Sequence, residues 1–183
     1  MFLIGAVIIG VVLGYVLKGR IVNLSGLHLR AWWLVVVAMA IQFCIFPLFS
    51  ERALFPYLTT ELHLLSYGLL FLFFVINYRV RALRVIALGA LSNLLVISVN
   101  SGRMPSSAYA LVRAGQADIA DKLAGSGVVG NIVLMGRGTR LDFLGDWLYL
   151  PHGFPLATAF SVGDLLIAMG LVILIVHGMR QHA

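Results

Sequence analysis

Charge and cysteine are what this chain has least of. Only 11% of its 183 residues are Asp, Glu, Lys or Arg, against roughly 25% in an ordinary soluble domain. In their place stand 61% hydrophobic residues and a mean hydropathy of +1.02. Such a composition excludes disorder and an ordinary soluble fold, and reads as an integral membrane protein. The single Cys44 excludes a disulfide scaffold; set in an apolar run, it is expected to be a small buried hydrophobe. Acids are scarcer than bases, 7 against 13, for a net charge of +6. In so apolar a chain basic residues usually record orientation, so no nucleic-acid partner is expected.

Apolar runs approach the roughly 20 residues that cross a bilayer at 2–17, 31–49, 62–78, 80–99 and 160–177. The expected fold class is therefore an all-α integral membrane protein with about five transmembrane helices. Residues 100–159 form a mixed extracytoplasmic loop domain between the fourth and fifth spans, and 178–183 a cytoplasmic tail. The first run is read as a span and not as a signal peptide, because Lys18 and Arg20 follow it and no base precedes it. Lys18, Arg20, Arg30, Arg79, Arg81, Arg84 and Arg180 fall on one side of this layout with no acid among them. The positive-inside rule makes that side cytoplasmic, with the N-terminus outside and the C-terminus inside.

Polar residues within the spans are few. Gln42 and Asn93 each stand seven positions from the outer end of their runs, roughly 10 Å deep at 1.5 Å per residue. They fit either an interhelical hydrogen bond or the floor of an outward cavity walled by His63 and Tyr67, one helical turn apart. No second His lies at a ligand spacing, and no metal is expected. Ala6, Gly10 and Gly14 form a small-xxx-small row suited to close helix packing. Trp32, Trp33, Tyr57 and Tyr149 suit interfacial belts, and Pro47 a kink.

The 100–159 segment has the room for a site. Ser106 and Ser107 ahead of a periodic run, with Gly125 after it, bracket an amphipathic helix over 108–123. Its apolar face would carry Tyr109, Val112, Ile119 and Leu123, and the Ala114-Gly115 pair can split it in two. Beyond Gly125, short apolar pieces punctuated by glycine read as strands or a re-entrant element. The chemistry-bearing candidates follow. Asp142, Asp146 and Asp164 could pair as carboxylates that share a proton and activate a water. Against that, Ser161 to Asp164 matches a capping box, and Arg103, Arg137 or Arg140 could neutralise Asp142 and Asp146.

Three motifs stand out: Asn100-x-Gly102-x-Met104-Pro105, Phe143-Leu144-Gly145-Asp146 and Ser161-x-Gly163-Asp164. Together they resemble an uncharacterised family of small bacterial multi-pass membrane proteins, over about the last 80 residues. That resemblance implies a bacterial cytoplasmic membrane and no particular activity. A second likeness is to lipoprotein signal peptidase (signal peptidase II), carried by Gly130-Asn131, Leu141-Asp142-Phe143 and Phe160-Ser161-Val162-Gly163-Asp164 in similar order. It implies Asp142 and Asp164 as a catalytic pair.

The leading functional expectation is a binding or accessory protein for a lipid, a quinone or a membrane-protein partner. Its outward polar site would be anchored by Asn100, Gly102, Arg103 and Arg140, with His63, Gln42 and Asn93 below. An aspartyl hydrolase ranks second and a small transporter third. No cofactor is expected.

Overall fold

A computed structural model describes residues 2–45 and 59–181. The expected outer end of the second run, with Pro47, Glu51 and Tyr57, lies outside the described residues.

Five apolar helices form the body: α1 (Phe2–Val16), α2 (Trp33–Ile45), α3 (Thr59–Ile76), α4 (Arg81–Val99) and α7 (Val162–Arg180). Between α4 and α7 the chain builds β1 (Met104–Ser106), α5 (Ala108–Arg113), α6 (Ala117–Ser126), β2 (Val128–Val129), β3 (Ile132–Leu134), β4 (Asp146–Tyr149) and β5 (Ala159–Ser161). The strands make one mixed sheet in the order β2-β3-β1-β4-β5. Its centre is parallel, with Met104 opposite Ile132 and Ser106 opposite Asp146; both edges are antiparallel.

Two parts of the expected architecture are corrected. The fold is not all-α, because the segment after α4 forms a five-stranded sheet whose last strand takes Phe160 and Ser161 from the expected fifth span. Nor are there five spans of adequate length: among the described residues only α4 and α7 are long and apolar enough to cross a bilayer. With 15 residues in α1 and 13 in α2, these helices extend only about 20 Å, short of a core of roughly 30 Å. In α3 the polar first turn leaves Leu64–Ile76 as its apolar part.

Small residues set the helix packing. Ala6, Gly10 and Gly14 are the buried residues of α1, and a Cβ on Gly10 or Gly14 would meet Ile175 or Met179 of α7. On the opposite flank of α7, Gly89 of α4 faces Gly163, and Gly170 faces Ala82 and Ile86. The α2–α3 pair joins through Leu34, Phe73 and Phe74, which cluster with Leu83, Ile86 and Leu174. Cys44 is exposed on α2 rather than buried. Exposed and core-facing positions are both apolar in these helices, so an apolar setting does not foretell burial.

The sheet sits over the C-terminal end of α4 and the N-terminal end of α7. Met104 packs against Val96 and Ile97 of α4, and Leu111, Ala120 and Leu123 of α5 and α6 pack with Val129, Ile132 and Leu134. The expected amphipathic helix is split at Gly115, whose φ of +76° breaks the ladder. The break re-aims the apolar face: Tyr109 and Val112 are exposed, while Ala110, Leu111 and Leu123 are buried. The second helix stops at Gly127, in the left-handed conformation, and not at Gly125.

Candidate functional site

All three sequence motifs meet where the sheet joins the helices. Asn100, at the C-terminal end of α4, accepts a hydrogen bond from Arg140 N at 2.8 Å. Its amide donates to Arg140 O at 2.8 Å and Val96 O at 2.7 Å. This clamp holds the 139–145 segment over α4. Ser101 and Gly102 then take positive φ, 56° and 80°, to turn the chain into β1. Pro105 lies in the central strand without cost to the ladder, because β4 pairs with β1 only from Ser106 onward. Gly145 is needed where it is: a Cβ there would collide with Pro105 O.

The acids follow from this scaffold. Asp146 opens β4 between Ser106 on one side and Ser161 on the other, and its carboxylate accepts from Ser106 Oγ at 2.8 Å. Ser161 caps α7 in a full capping box: its hydroxyl accepts from Asp164 N at 2.9 Å and its own N–H donates to Asp164 Oδ2 at 3.1 Å. Asn93 adds a third member. Its amide donates to Asp164 Oδ1 at 2.8 Å, and its carbonyl oxygen accepts from Ser161 Oγ at 2.9 Å. Ser106, Ser161 and Asn93 are all buried. Gly163 makes room for this network, since a Cβ there would fall on Asn93 Oδ1.

The two acids are held differently. Both oxygens of Asp164 have donors. Asp146 is withdrawn from water, which pushes its carboxyl up to about 7; the Ser106 hydrogen bond opposes the shift and the charge of Asp164 adds to it. Asp142 begins a short 3-10 turn, Asp142–Leu144, with its Oδ1 buried and without a hydrogen-bond partner among the described residues.

Other expected site residues fall elsewhere. Gln42 donates to Ser66 of α3 and does not share partners with Asn93. His63 lies in α3, with its side chain outside the described residues. Arg103 and Arg140 are exposed, and Arg140 enters the scaffold through its backbone. Gly102 serves as a turn. Sequence reasoning missed Ser106, taken only as a residue leading into a helix. Among the described residues no cluster of three or more His, Cys, Asp or Glu could hold a metal.

On the flank of α7 facing α1, away from the flank that meets Asn93, lies an apolar groove of about 660 Å³. Phe2, Ile9, Ala168, Met169 and Ile173 line it, and Leu156 closes its sheet end. Phe2 stacks on Phe160 of β5, with ring centroids 4.1 Å apart, which fixes the start of α1 against the sheet.

The profile of a family of unknown function, DUF5317, matches residues 26–176. The chain belongs to this family. The match extends well upstream of the segment carrying the three motifs, to the stretch before α2. No curated protein and no solved structure matches the chain, and the likeness to lipoprotein signal peptidase gains no support from these comparisons.

Proposed function

We propose that this member of DUF5317 is a multi-pass protein of the bacterial cytoplasmic membrane that binds the apolar chain of a lipid or quinone in the groove between α1 and α7. The observation that carries the reading is the apolar surface of the helices. Ile4, Ile8, Val36, Phe43, Leu72, Leu88 and Ile173, from all five apolar helices, are each at least 45% exposed. A surface of this extent calls for a nonaqueous neighbour. In this reading the sheet end faces outward and the basic end faces the cytoplasm, as the positive-inside rule orders them. The groove's apolar lining suits a hydrocarbon chain.

Native mass spectrometry of the protein extracted gently from its own membrane tests this directly. A retained lipid or quinone is the expected result, and its loss in Ile9→Trp and Met169→Trp, which fill the groove from exposed positions, would assign it there. Retention undiminished in both variants would sink the groove assignment.

A second reading, an outward-facing aspartyl hydrolase, is favoured by one observation: Asp146 titrates near neutrality beside Asp164. Two interacting carboxyls that share a proton can activate a water. Asp146→Asn would then abolish hydrolysis in a protein that still folds; a membrane preparation with no hydrolytic activity dependent on Asp146 ends this reading.

A further inference from the structure

The end of the molecule away from the sheet carries a cleft that shares Ile173 alone with the groove and nothing with the acid cluster. It has a volume of about 630 Å³ and lies between the segment before α2, the α3–α4 turn and the last turns of α7. His28, Arg79, Arg81 and His177 line it together with Leu27 and Ile173, and no acid does. A neighbouring hollow of about 370 Å³ shares His28 and Arg79 and adds Arg30.

Among the described residues no acid lines either hollow to neutralise these cations. Arg79 donates to the uncharged Tyr78 hydroxyl at 3.2 Å and lies over its ring, and Arg30 joins the fold through its backbone, clamped by Asn77. Every acid among the described residues belongs to the sheet region, to Asp164 beneath it or to the first turn of α3. The first turn of α4 borders the same cleft with neither an acid nor a side-chain cap, which adds to the positive field. Cations together with the apolar side chains of Leu27, Leu29, Val80 and Ile173 within one cleft match an amphiphile with an anionic head.

We propose that this cleft binds the phosphate-bearing headgroup of an anionic membrane phospholipid, with an acyl chain lying along Ile173. Basic hollows between spans on the cytoplasmic side are suited to such headgroups, and each arginine near the surface strengthens binding roughly fivefold. The proposal rests on the membrane reading above.

The test uses the detergent-solubilised full chain and native mass spectrometry, with phosphatidylglycerol, phosphatidylcholine of matched chains and inorganic phosphate as probes. Phosphatidylglycerol is expected to be retained in preference to phosphatidylcholine. Arg79→Gln with Arg81→Gln should weaken that retention roughly 25-fold, Arg79→Lys with Arg81→Lys should restore most of it, and Arg137→Gln at the sheet end should leave it unchanged. Equal retention of the two lipids, or indifference to loss of both arginines, overturns the proposal. Inorganic phosphate bound as tightly as phosphatidylglycerol overturns the lipid assignment in favour of a free anion. An alkaline wash of cell membranes separates the two readings. Release of the protein removes both, whereas a protein that stays in the membrane yet shows no anionic preference removes this one alone.

Discussion

The α4–α7 pair has two unlike ends. At the sheet end the polar groups are internal: Asn93, Ser106 and Ser161 are buried, and they bond to Asp146 and Asp164 and to one another. At the other end the charges are external, with Arg79, Arg81, Arg84 and Arg180 all exposed. Both ends nevertheless use the same backbone device. Asn100 clamps Arg140 at one end as Asn77 clamps Arg30 at the other, each donating to the carbonyl and accepting from the amide of one distant residue. Acids fixed within a network serve position and proton affinity; unneutralised surface cations remain available to a partner.

If that contrast is right, the ends should respond differently to substitution. Gly163→Ala should do the most damage, because its Cβ would fall on Asn93 Oδ1 and within 2.7 Å of Gly89 O. A loss of more than about 3 kcal/mol, or failure to accumulate, is expected in thermal unfolding. Asn93→Leu should follow at about 3 kcal/mol, since it strands the Asp164 carboxylate and the Ser161 hydroxyl.

Asp146→Asn should act only at high pH. The folded-state value of about 7 lies above the ordinary carboxyl value of 3.8, so the folded state holds this proton more tightly than the unfolded chain does. The associated stability is complete below about pH 4 and is lost as the pH rises towards 7. The amide escapes that loss, so the variant should be more stable than the parent at pH 8, by at most about 4 kcal/mol, and equal to it at pH 4. Melting curves at the two pH values check this, and a gain of the same size at both would show that Asp146 is not proton-linked to folding. The smallest effect belongs to the basic end: Arg81→Gln should change stability by less than about 0.5 kcal/mol. A large destabilisation there would erase the contrast between the ends.

Much of the candidate site was legible because its motifs are made of residues with narrow backbone uses. The Ser161–Asp164 capping box is visible from spacing alone, and the structure contains it. The row Ala6, Gly10 and Gly14 marked the packed face of α1 although every other position on that helix is equally apolar. Gln42 and Asn93 were matched in depth, but depth does not choose partners; the lateral order of the helices does, and it gave Gln42 to Ser66 and Asn93 to Asp164. Ser106 was hidden because Pro105 argues against a central strand, and only the late start of β4 removes that objection.

From sequence alone come the apolar helices, the segregation of acids from bases along the chain, the capping box and the small-residue contact face. Each is written in local spacing or in composition, which the chain carries before it folds. Only the tertiary structure decided that the 100–159 segment closes into a sheet, that among the described residues two helices are long and apolar enough to cross, and that Asp146 sits between Ser106 and Ser161. Strands of two to four residues bury too little by themselves to leave a periodic signal, and these pairings join residues 10 to 40 positions apart, a distance that no local pattern encodes.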